Sequence, residues 1–298
     1  MDVSIIIVNF NTRELTHNCL ASIFEKTERI KFEVIVSDNG SSDGSVEMIR
    51  AEFPQVILIE NGKNLGFGAA NNRALRIAKG KYIFYLNSDT VLLNNAVKIF
   101  FDYFEKNGER EKIGALGCWL QDENGNEIHS GGNFPTYKNT SHYLFMCVLD
   151  SFGIKRFAGK IGLYHENINF RPERVDYITG ADLFLKNDEM AKFDERFFMY
   201  FEETDLQFRL SKLGLERKII SDAKIIHFVG GSGTEDKMKY SFVKTTALFY
   251  WKSCLLYFTK NLSNRNFKKI RYKILFVYAL PHNYFRCKKA FEMLNEVK

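Results

Sequence analysis

A chain of 298 residues with 45% hydrophobic content, only 4 prolines and no low-complexity tract can bury one large core, or a core plus an appendage, and is not a disordered linker. Its five cysteines, Cys19, Cys118, Cys147, Cys254 and Cys287, are odd in number, have no CxxC or ligand spacing, and read as reduced, structural thiols of a cytosolic protein. The net charge of +6 divides unevenly, with +11 on residues 239–298 and −5 on residues 1–238, so an acidic domain is followed by a basic segment.

The chain starts Met1-Asp2-Val3 and runs directly into an apolar strand, Val3 to Val8, which leaves no room for a signal peptide. Residues 12–26 carry Leu15, Cys19, Leu20 and Ile23 at helical spacing, and Phe32 to Val36 is apolar again. Ser41 and Ser42 are placed to cap a helix over 43–53, Val56 to Ile59 reads as a third strand, and Gly66 to Lys79 as a helix closed by Gly80. A fourth strand, from Tyr82, runs into Asn87-Ser88-Asp89. Strands separated by helices of this length predict an α/β fold with an open, mostly parallel sheet and helices on both faces.

Further along, 133–174 is irregular and aromatic (Phe134, Tyr137, Tyr143, Phe152, Phe157, Tyr164, Phe170), suited to an acceptor lid or a homodimer contact. Strands are expected at Val175 to Ile178 and Leu183 to Lys186, and a helix opens at Glu202 with Leu206, Leu210 and Leu213 in register. Ala223 to Ile226 leads as a strand to His227 and a glycine turn. The longest apolar runs, such as Ile274 to Leu280, fall far short of the roughly 20 residues of a spanning helix.

Open α/β sheets place ligands outside the C-terminal ends of their strands. Asp89, at such a tip, is therefore a candidate ligand for Mg²⁺ or Mn²⁺, which would neutralise a substrate diphosphate. Asp38 ends the second strand and can accept a hydrogen bond from a pyrimidine N3–H or a ribose hydroxyl; the plain alternative is a strand-to-helix turn in which Asp38 and Asn39 bond their own backbone. The loop Asn64-Leu65-Gly66-Phe67-Gly68 has two glycines entering a helix, where backbone N–H groups can meet an anion, with Asn71 expected in the first turn. Glu202, Glu203 and Asp205 exceed what capping one helix requires.

Four blocks, Ser4-Ile-Ile-Ile-Val-Asn-Phe-Asn11, Val36-Ser-Asp-Asn-Gly-Ser-Ser-Asp-Gly-Ser45, Asn64-Leu-Gly-Phe-Gly-Ala-Ala-Asn-Asn72 and Leu86-Asn-Ser-Asp-Thr90, resemble glycosyltransferase family 2, and within it the bacterial rhamnosyltransferase-like branch that builds cell-surface polysaccharide. The resemblance covers roughly residues 3 to 235 and implies a GT-A fold over 1–238, a nucleotide-diphosphate sugar donor, a Mg²⁺ or Mn²⁺ cofactor, and inversion at the anomeric centre. It implies dTDP-rhamnose before a UDP-hexose as donor, and a glycan or lipid-linked glycan as acceptor.

By the same resemblance Asn9, Asn11, Asp38, Asn64, Gly66 and Asn71 line the donor, although Asn9 and Asn11 also suit a turn that caps the next helix. Where relatives have Asp-x-Asp this chain has Asn87-Ser88-Asp89, so one formal charge is lost from the metal site, and His227 is the implied second ligand. Gly180 and Asp182 resemble the segment along the donor sugar and acceptor. Glu203 is the implied catalytic base, with Glu202 and Asp205 in support; relatives more often carry Asp there.

Residues 239–298 mix lysines with rings, among them Phe242, Tyr250, Trp251, Tyr257, Tyr272, Phe276, Tyr284 and Phe285. Helices of this composition suit the surface of an anionic membrane, in preference to nucleic acid, or serve only as a cap on the domain. A cytoplasmic enzyme peripheral to the inner face of the cell membrane is the expectation. Two rivals remain: a nucleotidyltransferase, which normally has a glycine- and basic-rich loop that Val8-Asn-Phe-Asn-Thr-Arg13 lacks, and a non-catalytic sugar-nucleotide-binding protein.

Overall fold

Strand and helix alternate through the first part of the chain: β1 (Val3–Asn9), α1 (Arg13–Lys26), β2 (Phe32–Asp38), α2 (Ser45–Glu52), β3 (Ile57–Glu60), α3 (Phe67–Leu75), β4 (Tyr82–Asn87), a short β5 (Thr90–Leu92) and α4 (Ala96–Asn107). There follow β6 (Ile113–Cys118), β7 (Gly131–Gly132), α5 (Tyr137–Ser151), β8 (Arg174–Val175), β9 (Tyr177–Ile178), β10 (Asp182–Lys186), α6 (Glu202–Lys212), β11 (Glu216–Ile220) and β12 (Ile225–His227). Helices α7 (Thr245–Asn261), α8 (Asn264–Ala279) and α9 (Cys287–Asn295) complete the chain. This computed structural model describes residues 1–151, 173–228, 245–261, 264–279 and 287–297. Phe152, Phe157, Tyr164 and Phe170 of the expected lid, the glycine turn after Phe228, and Phe242, Tyr284 and Phe285 lie outside the described residues.

The described residues of 1–134, 172–198 and 202–234 form one compact unit. Its sheet has eight strands in the order β3-β2-β1-β4-β10-β6-β11-β8. β1, β2, β3 and β4 are mutually parallel, as are β6 and β11, while β10 runs antiparallel between β4 and β6. The strands read as continuous apolar runs because both faces are covered. On one face Ile5, Ile7, Val34, Val36, Phe84 and Leu86 pack with Leu20 and Ile23 of α1, Ile49 of α2, and Phe100 and Phe104 of α4. On the other Ile6, Ile35, Ile83 and Tyr85 pack with Ala74 of α3 and Leu206 and Leu210 of α6. Period-2 alternation thus assigns each strand residue to one helix layer.

Several local boundaries differ from those read in the sequence: the run Val175 to Ile178, expected as one strand, is divided into β8, which pairs with β11, and β9, which pairs with β7. Helix α3 ends at Leu75 instead of Lys79, and because it starts at Phe67 it has Asn71 and Asn72 in its second turn. The chain must leave the helix early because Gly80 lies against β1, where a Cβ would come within 2.3 Å of the Ser4 nitrogen. Helix α2 starts at Ser45 with left-handed Gly44 (φ 83°) before it, not from a Ser41–Ser42 cap. Ser41 is used elsewhere, accepting from the Asn11 N–H at 2.9 Å.

The second unit comprises the described residues of 135–171, 199–201 and 235–298. Helices α5, α7, α8 and α9 pack on one another around Trp251, Leu255, Tyr257, Phe258, Ile270, Ile274, Tyr278 and Leu294, each at most 2% exposed. This is a true apolar core.

A buried polar knot fixes the loops at the C-terminal edge of the sheet. Asn9, fully buried at the end of β1, donates to Asp38 Oδ2 (2.6 Å) and Ser41 Oγ (3.0 Å) and accepts from Thr12 Oγ1 (2.8 Å) and Thr16 Oγ1 (2.7 Å). All four hydrogen-bonding positions of its amide are filled from within the protein. Asn9→Ala should therefore lower the free energy of unfolding by about 2 to 4 kcal/mol, since several buried partners lose their bonds at once. Urea titration checks this, and a loss below about 0.5 kcal/mol would show that the knot is not structural.

Candidate active site

The two strand tips picked out in the sequence meet. β12 pairs antiparallel with β5 so that His227 stands across from Thr90, one residue past Asp89. The Phe228 N–H donates to the Asp89 carbonyl (2.9 Å), and His227 Nε2 lies 3.2 Å from Asp89 Oδ1. Both side chains are buried, at 3% and 7% exposure. A carboxylate oxygen beside an imidazole nitrogen is a donor set that fits Mn²⁺ well and Mg²⁺ less well. Among the described residues no group of three His, Cys, Asp or Glu side chains forms a full cage. Any ion held here would draw its other ligands from water or substrate oxygens.

The neighbouring loops join this pair through a chain of hydroxyls and amides. Ser88 Oγ is 3.1 Å from Thr12 Oγ1, which bonds Asn9, which bonds Asp38. The carbonyl of half-buried Asn87 accepts from Thr90 Oγ1 (2.8 Å), and its N–H donates to the Ala181 carbonyl (3.0 Å). Asp38 Oδ1 takes the N–H groups of Gly40 and Ser41, both at 2.9 Å. With Oδ2 bonded to Asn9, at most one of the roughly four acceptor positions of this carboxylate remains for a ligand. Exposed Asn11 is left-handed (φ 54°) and accepts from the Ser42 N–H at 2.8 Å, lacing the two loops together.

The glycine loop is built for packing. Asn64 Oδ1 accepts from the Gly66 N–H (2.9 Å), and the Phe67 N–H donates to the Phe198 carbonyl (2.9 Å), so the first N–H groups at this helix start are spent inside the protein. Gly66 has φ 85°, and a Cβ there would fall 2.2 Å from the Phe198 oxygen. Asn71 bonds the Phe67 carbonyl, at 3.1 Å.

Gly180 marks where the loop meets the acidic helix, since a Cβ built on it would touch the Phe67 ring at 3.5 Å and the Glu203 Cβ at 3.7 Å. Asp182 is fully buried; its Oδ2 accepts from the Cys118 N–H (2.6 Å) and its Oδ1 has no hydrogen-bond partner. Burial pushes its carboxyl up to about 7, against the opposing pull of the Cys118 bonds and of His227. The three acids of α6 differ in surroundings. Asp205 is buried 3.5 Å from Arg209, one turn on. Glu202 is buried with Oε2 unpartnered, and burial followed by the charge of Glu203 pushes it well above the carboxylate range. Glu203 alone is half-buried.

Three contributors were not legible in the sequence. Gln207 clamps Ile178, accepting from its N–H (2.8 Å) and donating to its carbonyl (2.7 Å), which ties the 178–182 turn to α6. Asn72 likewise holds the N–H and carbonyl of Phe193, each at 2.9 Å. Tyr200 and Phe201 adopt left-handed backbone (φ 69° and 67°) directly before Glu202, at a cost of about 1 to 2 kcal/mol each. Nothing in the residue types at these positions signals such roles.

Comparison with known proteins agrees with this architecture. The chain is 26% identical over 259 residues, 79% of its length and 82% of the relative's, to the N-acetylglucosaminyl-diphospho-decaprenol L-rhamnosyltransferase of Mycobacterium tuberculosis. In fold it is similar to a mannosyltransferase from Pyrobaculum calidifontis solved with GDP-Man and Mn²⁺, at TM-score 0.54 and 17% identity, covering 99% of this chain and 74% of that one. It is also similar to GalNAc-T7 solved with UDP, GalNAc and Mn²⁺, at TM-score 0.59 and 14% identity, covering 96% and 54% respectively. The model of Glycosyl transferase family 2 matches residues 4–158, more than half of the chain, and the protein belongs to that family of glycosyltransferases.

Proposed function

We propose that this glycosyltransferase moves a sugar with inversion from a nucleotide-diphosphate donor, dTDP-rhamnose before a UDP-hexose, to a glycan or lipid-linked glycan of the cell surface. The observation that carries the reading is the contact of Asp89 with His227 at 3.2 Å, at the edge of the sheet where the loops of β1, β2 and β4 gather. The rhamnosyltransferase similarity supports the donor preference and a lipid-linked acceptor.

Asp89 and His227 would hold the divalent ion. When bound, that ion supplies positive charge against the charge that develops on the leaving diphosphate. Asp38, with one acceptor position left, would receive the N3–H of thymine or uracil, which present the same edge, while Asn11, Asn64 and Asn71 shape the donor side. Glu203, the half-buried acid at the start of α6, takes the proton of the acceptor hydroxyl as that oxygen forms its bond to the anomeric carbon and the bond to diphosphate breaks. Burial, followed by the charge of Glu203, pushes the Glu202 carboxyl well above the usual carboxylate range, which disfavours a second negative charge beside the base. Asp205, paired to Arg209, holds the first turn of α6 in place.

Helix α8 carries Tyr272 and Phe276 one turn apart, 71% and 60% exposed, with Lys268 and Lys269 exposed on the preceding turn. Rings flanked by ammonium groups match an anionic lipid surface, and this supports a peripheral place at the inner face of the membrane, where lipid-linked acceptors reside. Among the described residues no helix is long and apolar enough to cross a bilayer.

Glu203→Gln should lower kcat by roughly 10² to 10⁴ with nucleotide binding retained, in steady-state assays over a panel of nucleotide sugars. Turnover within threefold of the parent protein would remove the base assignment. Mn²⁺ with UDP or dTDP should raise the melting temperature of the parent protein, and that shift should vanish in Asp89→Asn and His227→Ala. An undiminished shift in both variants would place the ion elsewhere. Replacing Tyr272 and Phe276 together by Ser should weaken co-sedimentation with phosphatidylglycerol vesicles at least fivefold; equal sedimentation would leave α8 as a solvent-facing cap.

A further inference from the structure

Within the helical unit, α8 buries Phe267, Ile270, Ile274, Val277 and Tyr278, a spacing that turns one face of the helix into the core. This fixes its rotation. The rest of its surface carries Lys268, Lys269, Tyr272 and Phe276, all exposed, and half-buried Lys273. Lys269 and Lys273 stand at i, i+4, where like charges repel. Both meet the same ring on α5 of the same unit, with the Lys273 ammonium 4.9 Å and the Lys269 ammonium 5.7 Å from the centre of Tyr137. A hydrogen bond with Lys273 comes first among the influences that push the Tyr137 phenol below its ordinary range.

No negative side chain offsets these charges. Residues 136–146 and 264–279 contain no Asp or Glu, and among the described residues neither ammonium has an ion-pair partner. Glu296 of α9 is taken by Lys252, at 2.5 Å. A ring face attracts ammonium groups but carries no net charge, so Tyr137 orders the pair without neutralising it. Two ordered, uncompensated cations suit an anion.

We infer that Tyr137, Lys269 and Lys273 form a receptor for the phosphate of an anionic phospholipid, with Tyr272 and Phe276 of the same helix entering the interface beside it. The inference deepens the proposed contact of α8 with an anionic membrane and rests on it. Lysine stems one helical turn apart are long and flexible enough to converge on one phosphate group, each ammonium donating to a different oxygen. Because the ring holds both ammonium groups beforehand, less side-chain freedom is lost on binding. The exposed rings favour a lipid phosphate over a free one, since a soluble anion would leave Tyr272 and Phe276 in water.

The test uses the full-length chain and mixed phosphatidylcholine and phosphatidylglycerol vesicles at fixed ionic strength. Lys269→Gln with Lys273→Gln should weaken co-sedimentation at least tenfold, as expected for two lysines at an anionic surface. Lys138→Gln with Lys268→Gln removes the same charge from exposed positions on the same two helices, and should weaken it less than threefold. Tyr137→Leu keeps every charge and should still weaken binding at least fivefold, with the far-ultraviolet circular dichroism of the parent; if that variant unfolds, the two lysine pairs decide. Inorganic phosphate added at constant ionic strength should not release the parent protein. Equal weakening by the two lysine pairs would reduce the site to a diffuse field, and undiminished binding of folded Tyr137→Leu would remove the ring from it. Release by inorganic phosphate would assign the site to a soluble anion. Each of these overturns the inference. If replacing Tyr272 and Phe276 leaves sedimentation unchanged while the Lys269 and Lys273 pair weakens it, the failure lies in the aromatic contact; the reverse result fails the phosphate receptor alone.

Discussion

The short ladder between β5 and β12 is the constraint on which the site depends. Asp89 and His227 are 138 positions apart in the chain, and the pairing of Thr90 with His227 brings a carboxylate and an imidazole within 3.2 Å of each other. Two buried polar side chains at a sheet edge are costly unless each satisfies the other or a ligand. The β5–β12 ribbon lies outside the main sheet, so it can hold the pair without interrupting the packing of β4.

Around this pair two polar clusters differ in how far they are satisfied from within the protein. In the loops after β1, β2 and β4 the Asn9–Thr12–Ser88–Asp38 network is almost fully satisfied internally, which makes it a rigid rim instead of a set of reaching side chains. At the start of α6 the three acids are kept unequal by their surroundings. Arg209 lies 3.5 Å from Asp205, burial and the charge of Glu203 push the Glu202 carboxyl well above the carboxylate range, and Glu203 is half-buried. Differently placed neighbouring carboxyls are how one site offers both a proton acceptor and an uncharged wall.

Much of this was legible in the sequence because the strongest signals are local. Apolar runs ending in Asn87-Ser88-Asp89 and in His227 located both strand tips, and the βα alternation gave the parallel half of the sheet. Family membership, shown by the match over residues 4–158, agrees with the resemblance carried by the four N-terminal blocks. What escaped reading depends on long-range contact. The antiparallel insertion of β10 cannot be told from a parallel strand by its five residues, and the two-residue strands β7, β8 and β9 carry no period at all. Gly66 looked like an anion contact in the sequence, whereas its Cβ position is filled by the Phe198 carbonyl. The left-handed Tyr200 and Phe201 violate local preference, and residues that break a local rule tend to lie where function imposes strain.

The central claim is that Asp89 and His227 jointly hold the divalent ion of a nucleotide-sugar transferase. Anomalous diffraction at the manganese edge, from crystals grown with Mn²⁺ and UDP or dTDP, tests it most directly. The account predicts one strong peak within coordination distance of both Asp89 Oδ1 and His227 Nε2, with diphosphate oxygens completing the sphere. A peak that contacts neither side chain, beside a well-ordered nucleotide, would contradict it.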